Sequence, residues 1–363
     1  MKINRPIRIA SVGLGYGASV HVPAILELKN IEFLGLVGQD NAKTLKHIKN
    51  LGLDSSLVNS SIEEALEKKP DIMTLALPPG QNEEVFKKIL KSGCAILAEK
   101  PLAQDMDTAK RIINDAKGLH TAVGFQFAEL PVFQKLSEIL NEGFIGDVRH
   151  VSVNWFMESY VQKNLLWSWK SDARIGGGVM ALFGSHLLYL AEYFFGPITK
   201  IRASFSNKAT QKFAPNALWA AEDLVHIWLE HESGTIFSAN FGNACPNVHH
   251  HKWQIVGNND SLIIENDSTD YMRGFKIKGL GEHSSIQWNE NQILQSGDGR
   301  IPPFKSLLQR FINSINSDEK ETVFFPNFLS AIRVQYLMET IKKSAAKGQE
   351  VQVTSEFYSN NSL

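Results

Sequence analysis

The chain is 363 residues long, with 37 basic and 38 acidic side chains and a formal net charge of −1. That balance gives no electrostatic reason for a nucleic-acid or acidic-membrane partner, and the length predicts two domains rather than one. Cys94 and Cys245 are too few for a disulfide framework; with no apolar leader at the N-terminus and no stretch that approaches a membrane span, a cytoplasmic protein is expected.

The first predicted element is a short buried strand, Ile7 to Val12. It runs into three glycines within five positions, Gly13, Gly15 and Gly17, and then into an apolar segment, Val20 to Leu28, that predicts a helix. Strand, tight turn and helix in this order suit a dinucleotide. Gly13 permits a turn that a side chain would block. Gly15 lets the backbone approach a pyrophosphate, and Gly17 with Ala18 lets the helix lie close on the strand. Free N–H groups at the helix start would face the phosphates, with Tyr16 beside them in the turn. Gly13, Gly15 and Ala18 fit the pattern G-x-G-x-x-A.

Phe33 to Val37 predicts a second strand. The end of such a strand meets the adenosine ribose, where an acidic residue favours NAD and a basic or small polar one makes room for the 2′-phosphate of NADP. Here Gly38 has no side chain and Gln39 is neutral. Asp40 comes late and reads as the cap of a helix from Ala42 to Asn50, and Lys43 is placed to reach a phosphate. The cofactor is therefore NAD(P), with a lean to NADP. Ser60 to Leu66 forms a capping box that opens a short helix. Pro70 to Pro79 is a strand ending in a proline turn at Leu77 and Pro78, Glu83 to Ser92 has helical spacing, and Ala95 to Ala98 is a further buried strand ending in Glu99-Lys100-Pro101. Strands alternating with helices predict an α/β domain, a Rossmann-type doubly wound parallel sheet over residues 1–125. Its ligands sit at the carboxyl ends of the strands, where Gly13, Gly38, Pro78 and Lys100 all fall.

Leu77-Pro78 followed by a helix, and then Gly93-Cys-Ala-Ile-Leu-Ala-Glu-Lys-Pro-Leu102, resembles the glucose–fructose oxidoreductase / inositol dehydrogenase / rhizopine-catabolism (Gfo/Idh/MocA) family, with Glu-Lys-Pro as its mark. The resemblance implies that Lys100 lies near the nicotinamide and the reacting carbon. It also implies that Leu77, Pro78 and Glu99 line the cofactor and that the peptide at Lys100-Pro101 is cis. The family often has a histidine a few residues after the strand-ending proline; this chain has Asn82. Thr121 to Phe127 is the last strand of the first domain, and the family's Gly-x-Gln/Asn there makes Gln126 a cofactor contact.

Residues 126–363 are expected to form a second, α+β domain with a large open, mostly antiparallel sheet. A helix over Pro131 to Asn141 precedes the strands Val148–Phe156, Ile198–Phe205, Asp223–Glu230, Thr235–Asn240, Lys252–Val256 and Leu262–Glu265. In the family one face of this sheet is covered by helices and the other serves self-association, which implies a homodimer or homotetramer. Between the strands, Gly176-Gly177-Gly178 feeds a helix carrying Phe183, Gly184 and His186. The family pattern is three glycines, a few residues, then Asp-x-Gly-x-His. His186 matches the catalytic histidine, Phe183 lies beside it as a substrate contact, and the aspartate position is Leu182. Trp169-Lys170 matches a Trp-Arg pair near the cofactor. Independently of the family, a base for hydroxyl oxidation should titrate near neutral pH, as histidine does.

Three adjacent histidines, His249 to His251, point to alternate faces of a strand, and no carboxylate or cysteine is spaced to complete a ligand set, so no metal is expected. Glu222-Asp223 reads as the solvated opening of a strand, and Cys245 sits in a loop with nothing to mark a nucleophile. Phe304 to Ile315 and Phe328 to Ala345 are amphipathic helices. The resemblance continues to Lys347-Gly-Gln-Glu-Val-Gln-Val353 as a closing strand. It implies reversible hydride transfer between NAD(P) and a secondary alcohol of a sugar, cyclitol or related polyol, with Lys100 and His186 on the substrate. Leu182 leaves two rivals: a non-catalytic NAD(P)-binding sensor or regulator, and a lyase or glycosidase that keeps its cofactor through a transient oxidation.

Overall fold

The computed structural model describes residues 5–290, 297–316 and 326–354. The chain forms two compact units. One holds the chain up to Glu129 together with Arg300–Ile332; the other holds Leu130–Gly299 together with the chain from Arg333 on.

In the first unit β1 (Ile7–Val12), α1 (Val22–Leu26), β2 (Ile31–Val37), α2 (Asn41–Asn50), β3 (Val58–Asn59), α3 (Ile62–Glu67), β4 (Ile72–Leu75), α4 (Asn82–Leu90), β5 (Ala95–Ala98), α5 (Met106–Asp115) and β6 (Thr121–Val123) follow one another. The six strands are parallel, in the order β3-β2-β1-β4-β5-β6. This is the doubly wound arrangement, with the strand order reversing between β1 and β4. β4 and β5 are buried along their whole length, as strands covered on both faces must be. Ser61 Oγ accepts from Glu64 N–H, and the Glu64 carboxylate accepts from Ser60 N–H, so the capping box forms as the sequence predicts. The first helix differs from expectation. It begins with a wide turn over Gly17–His21 and stops at Leu26. Pro23 has no N–H to offer the carbonyl four residues back, and Val22 N–H reaches Gly17 O, five residues back.

The second unit contains α6 (Pro131–Asn141), β7 (Val148–Glu158), α7 (Tyr160–Lys163), α8 (Ser185–Phe195), β8 (Ile198–Ser206), β9 (Leu224–His231), β10 (Ile236–Gly242), β11 (Ala244–Gly257), β12 (Ser261–Asn266), β13 (Lys276–Gly279) and β14 (Gln287–Asn289). The chain closes with α9 (Ile301–Asn316), α10 (Phe328–Lys347) and β15 (Val351–Gln352). The sheet has nine strands in the order β14-β13-β12-β11-β7-β10-β9-β8-β15. Among the described residues, β7 and β10 are the one parallel pair of this sheet. Val151, Val153 and Trp155 of β7, Phe237 and Phe241 of β10, and Trp253 and Ile255 of β11 alternate into a buried layer. The opposite face is polar: His226, Asn240 and Asn154 form a hydrogen-bonded ladder across three strands, at 2.7 and 3.2 Å.

Three expectations change. The strand predicted at Lys252–Val256 starts at Ala244, with a register slip against β7 between Ala244 and His249. The segment Ala173–Phe195 has the length and apolarity of a membrane span, contrary to the reading that no stretch approaches one. Its most apolar stretch is mostly buried, as the core helix of a globular protein also would be. The boundary drawn at residue 125 assigned everything after it to the second domain, but α9 returns to the first unit. Its stripe Phe304, Leu307, Leu308, Phe311 and Ile312 packs into the cluster of Ile9, Ile25, Ile72 and Leu97. Ser306 Oγ donates to Glu129 at 2.8 Å and Arg310 pairs with the same carboxylate.

Two outcomes follow from this packing. Phe311→Ala should destabilise the first unit by about 3–5 kcal/mol, read as a lower urea midpoint; a change under about 1 kcal/mol would mean that α9 does not hold that core. In the second unit, burial lowers His231 from 6.5 to about 4, against a hydrogen bond from the ring to Gly196 O at 2.7 Å. The unfolded chain then binds a proton before the folded one does. The stabilising contribution is full above pH 6.5 and shrinks as pH falls toward about 4. Replacing His231 by Gln should flatten the fall in urea midpoint across that window; an unchanged slope would contradict it.

Candidate active site

The glycine turn after β1 separates what the protein needs from what a ligand needs. Gly13 has φ +114°, and a Cβ there would lie 2.2 Å from Ala76 O. At Gly17 a Cβ would lie 2.9 Å from Val12 O. The fold itself demands both. Gly15 differs: its φ is outside the left-handed region, and a Cβ would meet no atom within 4 Å. That open space at the switch of strand order, in front of the helix, fits a pyrophosphate held by backbone N–H groups.

The other strand ends gather around this turn. Gln126, buried, donates from Nε2 to the Tyr16 hydroxyl at 2.7 Å. The Arg300 guanidinium lies over the Tyr16 ring, 5.2 Å from its centroid. Glu99 Oε1 lies 3.2 Å from His21 Nε2. Lys100 is half-buried and its bond to Pro101 is cis. Leu77 and Pro78 are half-buried, and Pro78 opens a single tight turn, Pro79–Gln81. Gln39 donates to Gln81 at 3.5 Å, joining the ends of β2 and β4. A Cβ at Gly38 would strike Thr44 and Leu14. Asp40 caps α2 by accepting from Lys43 N–H at 3.1 Å, and the exposed Lys43 ammonium pairs with it at 3.4 Å. Two of the expected cofactor residues thus have tasks within the protein. Lys43 balances the cap, and Asn82 is buried with its amide donating to Leu102 O at 2.8 Å, holding the loop that follows Lys100.

In the second unit His186 is buried on α8. The preceding wide turn, Met180–Gly184, carries Leu182 and Phe183. Phe183 stacks on Trp155 with centroids 4.3 Å apart, and Trp155 stacks on His251 at 4.3 Å. Trp169 and Lys170 lie on a single turn, Trp169–Ser171, whose Lys170 carbonyl accepts from Gly178 N–H at 3.0 Å. Arg174 lies 3.6 Å over the Trp219 ring and pairs with Asp172, whose carboxyl it holds below the usual range.

The acidic pair at 222 and 223 is not a solvated edge. Glu222 accepts from Met180 N–H at 3.1 Å, and its carboxyl is so close to the glycine entry that a Cβ at Gly178 would lie 2.1 Å from it. Burial pushes its pKa up. Asp223 accepts from Ala209 and Thr210 N–H groups at 2.9 and 2.8 Å. Both serve backbone donors that the loops leave unpaired. His249, His250 and His251 of β11 all line one groove with Trp155, Met157 and Tyr271, and of the three His251 is the buried one. Among the described residues no three His, Cys, Asp or Glu side chains gather as a metal set. Burial raises the pKa of both thiols, Cys94 and Cys245, which disfavours the nucleophilic thiolate. His21, Arg300 and Trp155 carry no functional signal in the sequence, and Glu222 reads there as the solvated opening of a strand. His21 lies inside the glycine-turn helix, but nothing in one dimension pairs it with Glu99, 78 positions away.

Two family models match the chain. Residues 7–127 match "Oxidoreductase family, NAD-binding Rossmann fold" and residues 133–263 match "GFO/IDH/MocA C-terminal domain". An uncharacterized oxidoreductase of Synechocystis sp. is 26% identical over 353 residues, covering 93% of this chain and 94% of its own. Among solved structures, levoglucosan dehydrogenase in complex with NADH and levoglucosan superposes with a TM-score of 0.80 at 16% identity, over 96% of this chain and 99% of that one. A super-repressor mutant of Gal80p from Saccharomyces cerevisiae gives 0.79 at 19% identity, over 99% and 100%. These two likenesses establish the fold.

The glycine turn yields a paired test. Gly15→Ala should leave the unfolding midpoint unchanged or slightly raised, yet weaken dinucleotide binding by at least about tenfold, or about 1.4 kcal/mol, in a calorimetric titration. Gly13→Ala should lower the midpoint itself. Equal binding by the Gly15→Ala protein would remove the pyrophosphate from this turn.

Proposed function

The chain belongs to the GFO/IDH/MocA oxidoreductase family and its first unit is an NAD-binding Rossmann fold; from that premise we propose that it transfers hydride between the nicotinamide and a secondary alcohol of a sugar, cyclitol or related polyol. The observation that carries this reading is the empty space at Gly15, among strand ends that also carry Tyr16, Gln126 and the Glu99-Lys100 pair. Levoglucosan dehydrogenase, bound to NADH and levoglucosan, shares this fold, which supports the substrate class.

Gly13, Gly15 and Gly17 would hold the pyrophosphate, with Tyr16 and Gln126 beside it. The bound nicotinamide supplies the hydride acceptor or donor. On oxidation the carbon gives up hydride while His186 takes the hydroxyl proton; on reduction His186 returns it. Lys100 hydrogen-bonds the same oxygen and stabilises its developing negative charge. The cofactor choice leans to NADP, because Gly38 and Gln39 put no carboxylate at the end of β2 and Asp40 is engaged in capping α2. The polar open face of the nine-stranded sheet is the surface we assign to self-association, which light scattering would read directly.

Leu182 in the family's aspartate position, and a shared fold with the repressor Gal80p, favour one other reading: a cofactor-binding regulator without turnover. Calorimetry with NAD, NADH, NADP and NADPH, followed by a polyol panel, separates the two. The proposal expects turnover that falls by about a hundredfold or more in His186→Ala and in Lys100→Ala. Tight cofactor binding with no turnover on any polyol would favour the regulator. NAD binding tenfold tighter than NADP, about 1.4 kcal/mol, would reverse the cofactor preference.

A further inference from the structure

We infer that His21 is a positioning residue for Lys100, acting through a buried polar clamp with Glu99; this rests on the dehydrogenase reading above. His21 is fully buried, with 0% of its surface exposed. Its ring stacks on Phe304, centroids 4.0 Å apart and planes 9° apart, and meets the Tyr16 ring edge-on at 5.6 Å and 87°. Those two contacts fix the imidazole plane and aim Nε2 at Glu99 Oε1, 3.2 Å away. Gly124, the residue after β6, leaves the space that the carboxylate occupies: a Cβ there would lie 2.6 Å from the same oxygen. The carboxylate thus packs beside the bare backbone of Gly124, and the His21 imidazole supplies its polar contact. Lys100 is the next residue, about 3.8 Å along the backbone, so whatever fixes Glu99 fixes the root of the lysine.

Stability alone does not explain a histidine here. The surroundings are aromatic and apolar, a phenylalanine would keep the stack, and His21 Nδ1 is buried with no hydrogen-bond partner. An unpartnered buried nitrogen lowers stability. What the imidazole adds is the contact to Glu99, at the end of the strand that delivers Lys100. The clamp also ties that strand to the glycine-turn helix, so the residues beside the pyrophosphate and the residue at the reacting oxygen share one rigid support.

The test is a double-mutant cycle on the full chain with saturating dinucleotide and the best polyol. His21→Phe keeps volume and stack but loses the polar contact. It should lower kcat about tenfold to a hundredfold while the dinucleotide Kd stays within about threefold. His21→Gln, which keeps a donor, should recover most of that loss. In a Lys100→Met background His21→Phe should cost less than about twofold, because the residue it positions is gone. The same penalty in both backgrounds, or an unchanged kcat, would overturn the clamp. If His21→Phe fails to fold, Glu99→Gln enters the same cycle with the same expectations. A wild-type chain with no turnover would sink the dehydrogenase reading and leave the clamp still testable. Reductive methylation with formaldehyde and cyanoborohydride, read by peptide mass spectrometry, compares Lys100 with the exposed Lys117. His21→Phe should change that ratio by at least about threefold, since the ammonium's surroundings move; an unchanged ratio refutes the inference.

Discussion

The carbonyl of Ala76, at the end of β4, passes so close to Gly13 that no side chain can stand between them. The rest of the first unit depends on that approach. It occurs where the strand order reverses, so the turn after β1 must leave the sheet in a few residues. A positive φ at Gly13 and the contact of Gly17 with Val12 O set the direction in which the helix departs. That direction buries His21 against Phe304 and points it at Glu99. A sheet crossover, the open space beside Gly15 and a buried polar contact therefore come from one backbone constraint.

Loops at the carboxyl ends of parallel strands have no ladder to pair their backbone groups, and side chains take that work. Asn82 holds Leu102 O, Asp40 caps α2, and Gln126 reaches Tyr16. In the second unit Glu222 and Asp223 do the same for the turns at 180 and 210. Buried polar groups are costly unless bonded, so each such pair also locks a geometry. A carboxylate near a candidate site is for this reason weak evidence of catalysis. Glu222 is committed to a backbone N–H, and burial raises its pKa.

Much of this was legible in the sequence because it has a period. Alternation marked β7 through β10, the 3.6-residue stripes marked α6 and α9, and the glycine spacing marked the turn. What stayed hidden has no period. β13 is four residues long with two lysines, and β14 is the three-residue stretch Gln287–Asn289. The stripe of α9 declares an apolar face but not which core receives it, and α9 returns to the first unit. The wide turn at Gly17–His21 comes from a missing proline N–H, which resembles an ordinary helix start in one dimension. Contacts such as Phe183–Trp155–His251 join segments far apart in the chain and exist only once the sheet pairs.

The question of whether the nucleotide turn is functional or a relic turns on Gly15. Gly13 and Gly17 would persist in either case, because the sheet requires them. Gly15 has no such reason: its backbone does not demand glycine and the space beside it is empty. Alanine there would restrict the unfolded chain and raise stability by about 0.4–1 kcal/mol. A chain that no longer bound a dinucleotide would gain by losing this glycine. Its presence, beside Gly13 and Gly17 and in front of a helix start, is accounted for by a ligand that must approach the backbone closely. The cofactor thereby rests on firmer physical ground than the reaction. The pyrophosphate explains a residue that the protein itself does not need, whereas Lys100 and His186 also sit within packing that would hold them without a substrate.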